Sequence, residues 1–302
     1  MKKISFNFCL FLILILTIQI SGQVSKSPVN PALNQKKSDF QSDVVTLQLK
    51  SELMKREMPY RVILPFRYKA EKEKRYPVIY LLHGLTGHYN DWADRTKIAE
   101  YAVQYGFIIV MPEGGNGWYT DSATASNDKF ESYIIQELIP EIDKNFRSIA
   151  NRENQVIAGL SMGGFGAIKF GLKYSEKFAL VGSFSGALGA GGWTEKELST
   201  RNFIAESVLN VFGKSDSQTR LENDIFKIVR EMSFDKIKTQ PFIYLDCGTE
   251  DFLIQNNRDF AALLLEKKIP HEFRQLPGGH TWVYWDKQVQ EFLELSEQLL
   301  KK

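Results

Sequence analysis

Serine, histidine and carboxylate side chains become reactive only when the fold brings them together, and one serine here has the local sequence to be presented for that. Gly159-Leu160-Ser161-Met162-Gly163 follows the apolar run Val156–Leu160 and opens a small, apolar stretch with helical character. This is the G-x-S-x-G pattern of a nucleophile on a sharp strand-to-helix turn. The glycines make room where flanking side chains would collide, and the turn projects the hydroxyl beyond the strand. The helix N-terminus beneath it favours the negative charge of a tetrahedral intermediate. A serine hydroxyl is inert at neutral pH, so Ser161 needs a base. The chain has four histidines, His83, His88, His271 and His280. His271 opens the last strand pattern and reads as packing. His280 follows Leu276-Pro277-Gly278-Gly279, just beyond that strand's carboxyl end, where catalytic groups of parallel sheets collect. The acid should follow the preceding strand, where Asp246, Glu250 and Asp251 are candidates. Asp246 continues the strand, and Glu250 lies within the turn on a longer side chain. Asp251 sits past a glycine turn, in reach of the histidine, although a helix-capping role would also suit it. Oxyanion donors come from His83-Gly84-Leu85-Thr86-Gly87, after the run Pro77–Leu82, and from the residue after the nucleophile. The expected amides are those of Leu85 and Met162, with His83 a structural part of its loop.

These residues need a scaffold that gathers strand ends along one edge. Val44–Leu49 and Tyr60–Leu64 alternate like strands of an antiparallel margin. Pro77–Leu82 is continuously apolar, as a strand buried on both faces is, and Phe107–Met111, Val156–Leu160, Phe178–Phe184 and Phe242–Leu245 are similar. Helical patterns lie between them: Asp91–Tyr105, Phe130–Phe146 with Phe130, Ile134, Leu138, Ile142 and Phe146 in one stripe, and Met162–Tyr174. Pro140 predicts a kink in the second. Helix Asn257–Lys267, strand His271–Leu276 and helix Val283–Leu300 close the chain. Between Ala187 and Lys238 the periodicity is weak, and helical insertions over the site are expected. The alternation predicts an α/β fold with a mostly parallel sheet covered by helices on both faces.

Taken in order, Leu81-Leu82-His83-Gly84, Trp118-Tyr119-Thr120-Asp121, the Gly159–Gly164 elbow, Gly248-Thr249-Glu250-Asp251 and Gly279-His280 resemble the esterase D family. That family includes S-formylglutathione hydrolases, tributyrin-type esterases, feruloyl esterases and antigen 85 mycolyltransferases. The resemblance runs from Val44 to Leu300. It implies an α/β-hydrolase fold and ester hydrolysis through an acyl-enzyme on Ser161, Asp251 and His280, with Leu85 and Met162 as the oxyanion hole. It also implies that Trp118, Tyr119 and Asp121 line or support the substrate site. Two rivals stand beside this reading: an acyltransferase using the same acyl-enzyme, and a secreted binding protein that keeps the fold without turnover.

Composition sets the surroundings. Lys2 and Lys3 precede an apolar run from Phe8 to Ile18, followed by Ser21 and Gly22. Residues 1–22 therefore read as a secretory signal, because the run falls short of the ~20 residues of a spanning helix. Residues 23–40 are polar with two prolines, a tether, and 41–302 form the hydrolase domain. The signal holds two of the 38 basic residues and no acid, so the remainder balances 36 basic against 36 acidic residues. Such balance points away from nucleic acid, which selects clustered basic charge. Beyond Cys9 in the signal, Cys247 is the single thiol, so no intrachain disulfide forms in an exported chain and Cys247 reads as a small buried hydrophobe. The expected enzyme is secreted or periplasmic, acts on a small-molecule or glycan ester, and uses no cofactor or metal.

Overall fold

A computed structural model describes residues 43–200 and 202–300. The expected signal (1–22) and tether (23–40) lie outside the described residues. Eight strands form one sheet in the order β1-β2-β4-β3-β5-β6-β7-β8. They are β1 (Asp43–Ser51), β2 (Arg56–Leu64), β3 (Val78–Leu82), β4 (Ile108–Pro112), β5 (Gln155–Leu160), β6 (Leu180–Phe184), β7 (Phe242–Gly248) and β8 (His271–Leu276). The first two form an antiparallel hairpin running from Asp43↔Leu64 to Ser51↔Arg56, and β2 meets β4 antiparallel. Every later pairing is parallel. The chain adopts the α/β-hydrolase fold.

Every residue of β3, β4, β5 and β6 is buried, which explains why their sequences are apolar but for Gln155 and Ser183. The two-residue period of a strand divides them between two cores. Val78, Tyr80 and Leu82 face one apolar cluster, while Ile79 and Leu81 face the other. The helix Met162–Lys173 covers the first face through Phe165, Ile168 and Phe170. The last helix, Trp282–Leu300, covers the second through Tyr284, Trp285, Val289 and Phe292.

Two helical segments differ in detail from the sequence pattern, and a third, weakly patterned region is helical as expected. Asp91–Tyr105 divides into Asp91–Arg95 and Ile98–Tyr101. Thr96 takes an extended conformation between them, its hydroxyl donating to the Trp92 carbonyl and accepting from the Ile98 amide. A local side-chain competitor for backbone groups thus ends the first helix. At Pro140, where a kink is expected, a widened π-helical turn, Tyr133–Leu138, leads into helix Ile139–Asn145. Proline lacks the amide hydrogen and crowds the carbonyl four residues earlier, and the widened turn relieves both problems. Phe130, Ile134, Leu138 and Ile142 remain buried along one stripe. The weakly patterned region between β6 and β7 is a run of short helices, including Glu195–Leu198, Asn202–Phe212, Gln218–Asn223 and Ile225–Glu231.

Candidate active site

Ser161 sits at the carboxyl end of β5 with φ 53° and ψ −114°, a conformation a non-glycine residue adopts only when its surroundings hold it there. Its amide donates to the Phe184 carbonyl at 2.9 Å, and its carbonyl accepts from the Phe165 and Ala187 amides. The glycines around it are sterically required. A Cβ at Gly159 would lie 2.5 Å from the Gly163 backbone, and one at Gly163 would lie 2.5 Å from the Leu82 carbonyl oxygen. The elbow therefore presses against the end of β3, whose following loop carries Leu85. Met162 opens the helix Met162–Lys173 and is buried, so its amide is one of the first-turn donors without a partner inside the helix.

The Leu85 loop is fixed from several sides. Trp92 Nε1 donates to the Leu82 carbonyl at 3.0 Å, and the Tyr119 hydroxyl donates to the His83 carbonyl at 3.0 Å. Buried His83 Nε2 accepts from the Gly114 amide at 2.8 Å. Its Nδ1 must then carry the proton, which it donates to the Gly84 carbonyl at 2.8 Å. Thr86, at φ 62°, donates its amide to Asn116 Oδ1 at 2.8 Å.

His280 reaches Ser161 from the loop after β8. Its Nε2 lies 3.0 Å from Ser161 Oγ, and its Nδ1 lies 2.8 Å from Asp251 Oδ2. The second carboxylate oxygen of Asp251 accepts the Leu253 amide at 2.9 Å. Serine, histidine and acid thus form one hydrogen-bonded path joining the ends of β5, β8 and β7. Burial alone would raise the Asp251 carboxyl pKa, but the bond and charge of His280, with the Leu253 amide, carry it below the usual value. The imidazole contacts the rings of Phe252 and Trp285, each centred 4.8 Å away. A cavity of about 200 Å³ opens at this point, lined by Ser161, His280, Leu85, Thr86, Trp282 and Trp285 among others. A larger cleft of about 680 Å³ shares Leu85 and Thr86 with it and is lined by both polar and apolar side chains, among them Asn116, Arg56, Asp128, Phe130 and Val211.

The competing acids stand apart from this path. Glu250 is exposed. Asp246 is completely buried and does not bond to His280. His88 is exposed, and His271 directs Nδ1 at the Ile269 carbonyl. Cys247 is buried.

Trp118 and Tyr119 are buried at 1% and 0% exposure, and neither lines the cavity at Ser161. Both have positive φ. Trp118 packs on Phe165, Trp193 and Phe212, while Tyr119 braces the His83 carbonyl. Asp121 accepts hydrogen bonds from the Ser132 amide and hydroxyl. This segment stands behind the site and supports it.

Two features had escaped the sequence reading. The contact of Phe252 and Trp285 with His280 joins the loop after β7 to the last helix, and no spacing reveals it. The other is Lys169, wholly buried, whose ammonium donates to the Tyr119 carbonyl, Thr120 Oγ1 and Glu131 Oε2 at 2.6–2.7 Å. A lysine within the otherwise small and apolar GGFGAIKFGL was its one sequence signal. Burial lowers that ammonium to about 8, which still leaves it charged at neutral pH.

A family model described as "Putative esterase" matches residues 51–294. An acetyl esterase of Caldicellulosiruptor saccharolyticus is 30% identical over 259 residues, covering 83% of this chain and 97% of its own. A ferulic acid esterase of known structure superposes with a TM-score of 0.73 at 30% identity, over 86% of this chain and 99% of that one. The substrate-bound fluorophosphonate-binding serine hydrolase F of Staphylococcus aureus superposes with a TM-score of 0.75 at 26% identity, over 84% and 98%.

Proposed function

The chain belongs to the Esterase family, and from that membership we propose that it is a serine carboxylic-ester hydrolase working through an acyl-enzyme on Ser161. The observation that carries the proposal is the hydrogen-bonded path from Ser161 through His280 to Asp251 at the mouth of a cavity.

Ser161 Oγ attacks the ester carbonyl carbon while His280 Nε2 takes its proton. Asp251 holds Nδ1–H and stabilises the imidazolium without itself accepting the proton. The amides of Leu85 and Met162 receive the developing oxyanion. Collapse breaks the bond to the alcohol oxygen, and His280 returns the proton to the leaving alcohol. Water, deprotonated by the same histidine, then attacks the acyl carbon, the bond to Ser161 Oγ breaks as His280 returns the proton to that oxygen, and the acid is released. The two cavities divide the substrate: a small acyl group occupies the space of about 200 Å³, and a larger alcohol of glycan type occupies the cleft of about 680 Å³, where Arg56, Asn116, Asp128 and Glu206 offer hydrogen bonds and Phe130 an apolar surface. The apolar run Phe8–Ile18 after Lys2 and Lys3 supports export of the enzyme, with the hydrolase domain following a tether.

The decisive experiment labels wild type and Ser161→Ala with a fluorophosphonate, with ester turnover measured in parallel. The wild type is expected to be labelled and active, and the folded variant unlabelled and inactive. Equal labelling of both would overturn the assignment. Product analysis with added sugar or alcohol separates hydrolysis from acyl transfer, because an acyltransferase would accumulate the new ester.

A further inference from the structure

Beneath the Asp251–His280 pair lies a buried carboxyl group that the mechanism above does not use. Asp246 stands near the end of β7, in register with Phe184 on one side and Arg274 on the other. It is 0% exposed, and neither carboxyl oxygen completes a hydrogen bond. Tyr244, two residues earlier, shares its face of the strand and packs with the last helix. The hydroxyls of Tyr244 and Tyr284 are the groups that approach the carboxyl, and they too are buried without a completed hydrogen bond. Arg274, the nearby cation, is engaged by Glu272 and Glu291. The further titratable neighbours are Asp251 and the buried thiol of Cys247.

Its position links it to both catalytic loops. A Cβ on Gly278 would come within 2.6 Å of the Tyr284 ring, so Tyr284 presses directly on the segment leading to His280. The next residue, Trp285, sets its ring edge against the His280 imidazole. On the other side the Glu250 amide donates to the Gly278 carbonyl at 3.0 Å, tying the Asp251 turn to that same segment. Displacing Tyr284 therefore displaces the base.

Building on the Ser161–His280–Asp251 reading, we infer that Asp246 is a positioning residue: an uncharged carboxyl group that seats the Tyr244 and Tyr284 hydroxyls and so fixes the Gly278–His280 segment. A lone charge there would pay full desolvation without an ion pair, whereas a carboxylic acid both donates to and accepts from hydroxyls. Burial accordingly holds the group well above the usual carboxylate range, outweighing the Tyr244 and Tyr284 hydroxyls and Arg274. Asp251 then carries the only negative charge of the pair.

Asp246→Asn tests the inference because it keeps shape, neutrality and a donor. Its kcat/KM should stay within about threefold of wild type, with the acid limb of the pH profile unmoved. Removing a charged Asp246 would instead shift that limb to lower pH, and a shift of about half a unit or more overturns the inference. Asp246→Ala and Tyr284→Phe should lower kcat about tenfold or more, with KM nearly constant. If Asp246→Ala does not fold, Tyr284→Phe carries this arm, and wild-type kcat in a folded variant refutes the positioning role. Fluorophosphonate labelling of Ser161 in the wild type reports separately on the underlying mechanism.

Discussion

Replacing Asp251 by asparagine should damage the enzyme through a single proton, and the structure says which one. Asp251 Oδ1 accepts the Leu253 amide at 2.9 Å, and Oδ2 faces His280 Nδ1 at 2.8 Å. A backbone amide can only donate, so it selects the carbonyl oxygen of the new side chain and turns the NH2 toward the histidine. Nδ1 must then accept, which moves the ring proton to Nε2, 3.0 Å from Ser161 Oγ. That nitrogen now donates to the serine and cannot receive its proton. The corresponding loss in a serine protease is about 10⁴-fold in kcat, equivalent to about 5 kcal/mol of barrier. Because the packing is unchanged, the stability cost should be that of one charge-assisted hydrogen bond, about 1–3 kcal/mol. Steady-state hydrolysis of p-nitrophenyl acetate and thermal unfolding of the same samples measure the two effects. Glu250→Gln, at an exposed position, serves as a control and should change neither. A kcat within tenfold of wild type for Asp251→Asn would refute the tautomer argument.

Two further outcomes follow from other parts of the chain. Burial opposes ionisation of Glu131, yet Lys169 and Lys173 draw it from 4.5 down to about 2. The depressed value means that its contribution is present above about pH 4.5 and is lost as pH falls toward 2. Glu131→Gln should therefore lower stability at pH 7 by about 3–5 kcal/mol, by stranding the buried Lys169, and flatten the acid limb of stability. Urea midpoints at pH 7 and pH 3 that track the wild type would sink this account. For the first segment, the expected exported protein begins near Gln23, and N-terminal sequencing finding an intact Met1 in a membrane fraction would contradict it.

The elements most legible in the sequence are those whose physics is local. Strands β3 to β6 announce themselves because burial on both faces leaves few polar positions, Gln155 and Ser183 alone, to interrupt them. The Ser161 elbow is readable because a strand, a sharp turn and a helix N-terminus are consecutive in the chain, and Gly159 and Gly163 meet each other across it. The order of β7, Asp251, β8 and His280 likewise brings acid and base to one sheet edge before any coordinate is known. Other properties depend on residues that are distant in sequence. Which of Asp246, Glu250 and Asp251 faces His280 depends on how the β7 loop turns against Gly278, a contact between segments about 30 residues apart. Asp246 and Asp251 look alike as letters, and only burial and partners raise the carboxyl pKa of the first and lower that of the second. Trp118 and Tyr119 sit behind the site because Lys169, from the elbow helix, caps the Tyr119 carbonyl and anchors their turn. Thr96 divides a helix that apolar periodicity alone would continue, since its hydroxyl competes for the backbone. A one-dimensional pattern records which face each residue prefers; charge state, ring contacts and the shape of a cavity arise only when faces from different elements meet.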